Sequence, residues 1–203
     1  MAGKNSAKNT IITIIFVVIL GAAVFGGYFY FKNVSDKRAK EKAEKAKEPT
    51  EIENIIAVNL RINYPETARS VVKFYCRVVQ AIHNLGPTDD ELSKLQFQLR
   101  DLFDNELLLK NSVTDQYNAL KLEIMEYDDL GRTIEDYLVD AAGNSETWTY
   151  EEKNYTRIIV NFTIKEKGTY GTLYEEFILR ADEDGKWKIL GWRRVDKDGL
   201  PMK

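Results

Sequence analysis

The sequence predicts an α+β protein in which a transmembrane helix and a charged helical stalk precede about three helices packed on a curved antiparallel sheet. Three observations predict this class. The first is an uncharged apolar run at residues 11–31. The second is a run of alternating charges that ends at Pro49. The third is a change in apolar spacing after Gly131, from the period of a helix to that of a strand.

Composition excludes several kinds of site. The 203 residues are 44% hydrophobic and 30% charged, which is typical of a globular protein. The chain has one cysteine, which excludes an internal disulfide or a cysteine-rich zinc site. It has one histidine, which excludes a centre with several histidine ligands. We therefore predict no metal and no cofactor, and no motif for phosphate binding or catalysis is present.

The net charge of −3 is unevenly distributed along the chain. Residues 1–50 hold nine basic and four acidic residues, whereas the remainder holds 20 basic and 28 acidic residues. An acidic domain argues against a nucleic-acid partner, because binding phosphates requires clustered Lys and Arg. The basic excess lies beside the apolar run, where a lipid bilayer is the simpler partner.

Residues 11–31 read IITIIFVVILGAAVFGGYFYF and predict a transmembrane anchor that follows a short polar tail at residues 1–10. A helix of this length spans ~31 Å, about one bilayer core. The alternative is a cleaved signal peptide, but its apolar core is normally ~7–15 residues long. Tyr28 and Tyr30 suit the headgroup level of a membrane. We therefore expect an uncleaved, single-pass anchor.

Two pairs of small residues lie four positions apart within this anchor. They are Ala22 with Gly26 and Ala23 with Gly27. This spacing lets two transmembrane helices approach closely, so it suggests a homodimer, although the pattern is common by chance in apolar helices.

Residues 32–50 predict a charged stalk. The run DKRAKEKAEKAKE at residues 36–48 contains strong helix formers and has no apolar face. Glu41 and Lys45 have the i,i+4 spacing that supports a solvated helix. A solvated spacer is favoured over an arm that binds lipid headgroups.

The domain predicted at residues 51–203 begins with helices. The first runs over residues 65–83, where apolar residues recur every three or four positions. A second begins after Thr88, which lies three residues before Glu91, the spacing of a capping box. The third covers residues 113–127.

Strands follow after Gly131. The predicted strands are residues 133–141, a short one around Trp148 and Tyr150, and residues 155–165, 169–180 and 186–195. The Asp-Gly pair at residues 184–185 is a strong signal for a hairpin turn between the last two strands.

The closing hairpin FILRADEDGKWKILGWRRV, residues 177–195, resembles the last two strands of the NTF2-like (nuclear transport factor 2-like) fold. With the motif YPETARSVVKFYCRVVQAIHN at residues 64–84, the layout resembles an uncharacterised family of single-pass membrane proteins from Gram-positive gut bacteria. The architecture is also similar to VirB8-like assembly subunits. This resemblance implies an NTF2-like cone outside the membrane, with no known activity.

The charges on either side of the anchor and the resemblance predict opposite membrane orientations. Two lysines precede the anchor and seven basic residues follow it, which favours a cytoplasmic domain. Long domains can, however, cross the membrane largely regardless of charge. With the resemblance and the architecture, we expect an extracellular domain.

Five aromatic residues are candidate contacts for a ligand or partner: Tyr155, Tyr170, Tyr174, Trp187 and Trp192. The tyrosines lie on predicted strands that could line a cone, although cross-strand pairs are the alternative. The tryptophans are five residues apart, so a regular strand directs them to opposite faces, one in the core and one exposed. His83 ends a predicted helix, where it would complement the helix dipole. No catalytic residue is predicted.

The expected function is a membrane-anchored, non-catalytic binding or assembly module outside the cytoplasmic membrane, with a protein partner in the cell envelope. Two alternatives remain open. One is a lyase or isomerase that acts on a small apolar ligand inside the cone. The other is a scaffold subunit of a membrane machine. A cavity with Asp, Tyr or His side chains would favour the enzyme, and a cone filled by apolar side chains would exclude it.

Overall fold

The structure is a computed structural model that describes residues 48–139 and 145–201. The predicted anchor, its two small-residue pairs and most of the predicted stalk lie outside these described residues. Among the helices within them, none is long and apolar enough to cross a membrane. Residues 50–203 form one compact unit.

The described residues form an α+β domain in which helices precede a five-stranded antiparallel sheet, as the sequence predicts. The helices are α1 (Glu51–Ile56), α2 (Ala68–Asn84), α3 (Asp89–Asp101), α4 (Asn105–Lys110) and α5 (Val113–Leu130). The strands are β1 (Arg132–Val139), β2 (Glu146–Tyr150), β3 (Lys153–Glu166), β4 (Thr169–Ala181) and β5 (Trp187–Val195). The three predicted helices correspond to α2, α3 and α5, and α1 and α4 are additional short helices.

Side-chain caps fix where α2 and α3 begin, and a glycine fixes where α5 ends. Thr88 caps α3, and Glu91 bonds back to the Thr88 amide, so the predicted capping box is confirmed. Thr67 caps α2 in the same way with Ser70. Gly131 ends α5 with a φ of 58°, a left-handed conformation that glycine adopts without strain.

The sheet has the order β1-β3-β4-β5, and β2 pairs with the other end of β3. Because side chains alternate along a strand, the sheet has two faces. The inner face carries Ile158, Val160 and Phe177 and packs against the helices. The outer face carries the intervening residues, among them Arg157 and Glu176. A β-bulge at Leu190 shifts the register of β5, so the alternation is interrupted there.

The core lies between the helices and this inner face. Its fully buried side chains come from every layer: Val71, Val72, Cys76, Ile82, Leu95, Leu99, Leu102, Ile158, Leu179 and Ile189. Full burial of one such side chain contributes roughly 2 kcal/mol. Cys76 is a free thiol that packs within this core.

The corner between α3 and α4 is attached to the sheet by a buried ion pair. Arg180 on β4 donates two hydrogen bonds to the Asp104 carboxylate, at 3.0 and 2.5 Å. The backbone at this corner also pairs with β5, since the Asp104 amide donates to the Ile189 carbonyl and the Ile189 amide donates to Leu102. The Asp104 carboxylate additionally accepts from the Glu106 amide and so caps α4.

Replacing Asp104 by Ala should lower the free energy of unfolding by about 3 kcal/mol, because Arg180 would keep a buried charge without its main partner. Glu106 is the matched control. Its side chain is 54% exposed and also binds Arg180, so Glu106→Ala should cost less than about 1 kcal/mol. Urea-induced unfolding measures both values. Equal, small decreases in the free energy of unfolding of the two variants would contradict this account of the corner.

Candidate functional site

A cavity of about 400 Å³ lies between α2, α5 and the inner face of the sheet. Its walls combine apolar and polar side chains. The apolar ones include Val79, Leu99, Leu120, Ile134, Phe162, Ile164 and Leu173, and the polar ones include Asn111, Asp115, Gln116 and Glu123. This volume is within the range of small-molecule sites, ~300–1,000 Å³. The helices and the sheet therefore enclose a space that the core side chains leave unfilled.

Aromatic rings form one end of the cavity. Tyr75 lies 5.4 Å from Trp192 and 6.3 Å from Phe103, measured between ring centroids. Trp192 in turn lies 5.7 Å from Phe103. These spacings are typical of packed aromatic pairs, so the rings support one another and form a preorganised surface.

His83 lines the cavity from the C-terminal turn of α2. Its ring stacks on Tyr127 of α5 at 4.1 Å, and its Nε2 atom lies 3.8 Å from a Glu123 carboxylate oxygen. Its Nδ1 atom is buried and has no hydrogen-bond partner among the described residues. Burial lowers the pKa of His83 to about 4. The imidazole is therefore neutral at pH 7, and the predicted interaction of a charged histidine with the helix dipole is wrong.

Glu175 on β4 is the second polar group in this cavity. It is half-buried on the inner face, between Leu173 and Phe177 in the alternation of the strand. No hydrogen bond or ion pair reaches its carboxylate within the described residues. Burial raises the pKa of Glu175 to about 7, and the negative charge of Glu123 raises it further, while Arg194 lowers it.

Tyr75 adds a hydroxyl group to the same cavity. The side chain is buried, and burial raises the pKa of Tyr75 well above its ordinary value. Among the described residues its hydroxyl group makes no hydrogen bond. Glu175, His83 and Tyr75 thus bring three polar groups to one cavity, and the His83 Nδ1 atom is buried without a hydrogen-bond partner among the described residues, which is uncommon in native structures.

The three candidate tyrosines lie on the other side of the sheet. Tyr155, Tyr170 and Tyr174 all occupy outer-face positions in the register of β3 and β4. Tyr155 stacks on Trp148 across the β2–β3 pair, which is the cross-strand alternative. Tyr170 is 60% exposed beside Lys165. They do not line the cavity.

The two candidate tryptophans share one face. Trp187 pairs with Ala181 and Trp192 with Phe177, and both β4 residues point inward. The prediction of opposite faces is wrong, because the bulge at Leu190 inserts one residue between the tryptophans. The expected difference in exposure is nevertheless present: Trp187 packs against the core, and Trp192 is 40% exposed where it lines the cavity.

Sequence reasoning missed Glu175, and a signal for it exists. Apolar residues alternate along β4 at Leu173, Phe177 and Leu179, and Glu175 takes the missing inward position. A carboxylate in the apolar register of a strand is expensive to bury, so it marks a candidate functional group.

The chemistry available in the cavity is proton exchange and hydrogen bonding. A carboxyl group whose pKa is near 7 can hold or release a proton at neutral pH. Residues 48–139 and 145–201 contain no group of three or more His, Cys, Asp or Glu residues that could hold a metal ion.

Fold and site together define an α+β domain with a ligand-sized cavity between its helices and its sheet. The chain belongs to the family described as domain of unknown function DUF6715, whose model matches residues 1–192. No curated protein matches the sequence. Membership in an uncharacterised family agrees with the sequence analysis.

Replacing Glu175 by Gln should stabilise the domain at high pH. Folding raises the pKa of Glu175 from its ordinary 4.5 to about 7, so stability falls as pH rises through this interval. In urea-induced unfolding, we expect the free energy of unfolding of the variant to exceed that of wild type by on the order of 2 kcal/mol at pH 8, and by little at pH 4.

Glu176→Gln is the matched control on the neighbouring position. Glu176 is buried and paired with Arg157 and Arg193, so its loss should destabilise the domain at pH 8. A Glu175→Gln variant no more stable than wild type at pH 8 would contradict the unpaired, desolvated state of Glu175.

Proposed function

We propose that this chain is a membrane-anchored binding protein whose NTF2-like domain, displayed outside the cytoplasmic membrane, holds a small and largely apolar ligand in the cavity. The apolar run at residues 11–31 supports the anchor, and the domain begins beyond the charged stalk. The partners in this proposal are the bilayer and the ligand, with a protein of the cell envelope as a further candidate.

The observation that carries the proposal is the cavity itself. It combines apolar side chains with polar ones, and three of the polar side chains, His83, Tyr75 and Glu175, make no hydrogen bond within the described residues. Sites for small molecules typically have this composition, because apolar surface provides affinity and a few polar groups provide orientation. A cavity of this kind also reduces stability, since the space forfeits packing contacts that side chains would otherwise make.

The NTF2-like assignment rests on the arrangement of the elements. The helices precede the strands in the chain, cover one face of an antiparallel sheet and leave a cavity against it. The β4–β5 hairpin, which closes the fold, turns at Asp182–Gly185. This arrangement supports a cone-shaped domain of that class, although a shared fold does not determine a shared activity.

A lyase or isomerase is the second candidate, and Glu175 is the observation that favours it. A carboxyl group with a pKa near 7 is suited to act as a general base at neutral pH, and the Tyr75 hydroxyl group lies in the same cavity. Chemical conversion of a bound ligand by wild type, but not by Glu175→Gln, would distinguish catalysis from binding.

Filling the cavity should abolish ligand binding. We expect the full-length chain to bind the neutral dye N-phenylnaphthylamine, with an increase in fluorescence. Leu173→Trp places a larger side chain in the cavity and should weaken this binding about tenfold or more. Leu122→Trp is the control, since Leu122 is 67% exposed on α5, and it should leave binding unchanged. Equal binding by all three proteins would contradict the proposal.

The orientation is tested by reporter fusions after Lys203. A reporter active only outside the cytoplasm should give activity in a Gram-positive host, and one fluorescent only inside should stay dark. The reverse result would mean that the seven basic residues after the apolar run determine the orientation. The domain would then act on cytoplasmic ligands.

A further inference from the structure

We propose that the ligand is an apolar amine, whose ammonium group binds beside Glu175 while its apolar body contacts the cavity wall. This inference rests on the proposed function, since it specifies the ligand of the same cavity. It follows from the charges that line the cavity, from the missing partner of Glu175 and from the aromatic rings at one end.

Acidic side chains outnumber basic ones in the described lining of the cavity. Within the described residues it includes three acidic side chains, Asp115, Glu123 and Glu175, and no Lys or Arg. His83 is neutral at pH 7, so it does not balance them. The cavity therefore repels a carboxylate or phosphate headgroup and attracts a cation.

Among the described residues, Glu175 differs from the buried acids Asp104 and Glu176 because its carboxylate forms no ion pair. Its neighbour Glu176 binds two arginines on the outer face, Arg157 and Arg193. Asp104 is held by Arg180. Arg194 is the cross-strand neighbour of Glu175, yet it forms no ion pair with it in the described part of the chain.

An ammonium group beside Glu175 would form the ion pair that its carboxylate does not make within the described residues. A desolvated carboxylate gains more from an added cation than a solvated one, because water screens the interaction less. A primary ammonium group has three hydrogens to donate, and the Glu175 carboxylate can accept them.

The aromatic rings favour the same class of ligand. Tyr75, Phe103 and Trp192 pack together at one end of the cavity, and Tyr127 lies beside His83. The faces of such rings attract cations, and the interaction is worth more in a desolvated site. Recognition by aromatic rings and a carboxylate is therefore compatible with an apolar ammonium ion.

Several titratable groups face Glu175 and contribute to any pH dependence. They are Tyr75, Cys76 and His83 from α2, Asp115, Glu123 and Tyr127 from α5, and Arg194 from β5. The pKa of Glu175 is about 7 and that of His83 is about 4, while burial raises the pKa of Glu123. Between about pH 6 and pH 8, Glu175 therefore passes through the midpoint of its titration, and His83 stays neutral.

The test compares three compounds with one carbon skeleton: phenylbutylamine, phenylbutanol and phenylbutyric acid. Calorimetry uses the full-length chain in nanodiscs of uncharged lipid, and the cavity-filling variant Leu173→Trp corrects for partition into the lipid. At pH 8 we expect the amine to bind about tenfold more tightly than the alcohol, and the acid not to bind measurably. The affinity for the amine should rise from about pH 6 to about pH 8 as Glu175 ionises.

Glu175→Gln should weaken amine binding about tenfold and remove its pH dependence, and it should weaken alcohol binding far less. Glu183 is an exposed acid in the β4–β5 turn. Glu183→Gln is therefore the matched control and should leave the affinity for the amine and its pH dependence unchanged. Equal affinities for amine and alcohol would overturn the amine assignment while the binding function stands. No binding of these compounds or of N-phenylnaphthylamine would overturn both.

Discussion

The buried ion pair between Asp104 and Arg180 holds the helical layer at a fixed position on the sheet. It secures the corner after α3, where the backbone also pairs with β5 at Ile189. The same strand bulges one residue later, at Leu190, and so directs Trp192 inward. These attachments bear on the cavity because Phe103, which lies at this corner, and Trp192 both line it.

Charge pairing separates the two faces of the sheet. On the outer face Glu176 forms ion pairs with two arginines, and these pairs keep its buried charge from destabilising the fold. On the inner face, within the described residues, the Glu175 carboxylate forms no ion pair and the His83 Nδ1 atom makes no hydrogen bond, at a cost to stability. Natural proteins retain such unsatisfied groups chiefly where function requires them, so this contrast is the strongest structural argument for a ligand.

Sequence patterns predicted the elements far better than the site. The α+β class, the capping box at Thr88 and the closing hairpin all depend on local patterns that a single sequence displays. No local sequence pattern marks the bulge at Leu190. The sequence therefore does not predict that Trp187 and Trp192 lie on the same face of the sheet. The cavity depends on how layers pack, and Glu175 becomes notable only once its strand register is known.

The central claim is that the cavity keeps the Glu175 carboxyl group desolvated and without a cationic partner. Carbon NMR of the labelled carboxyl carbon, followed against pH in the full-length chain without ligand, measures its pKa directly. The Glu175→Gln spectrum assigns the resonance. This account predicts a midpoint near the value of about 7. A midpoint at or below the ordinary 4.5 would mean that water or a cation already satisfies Glu175, and would contradict the account.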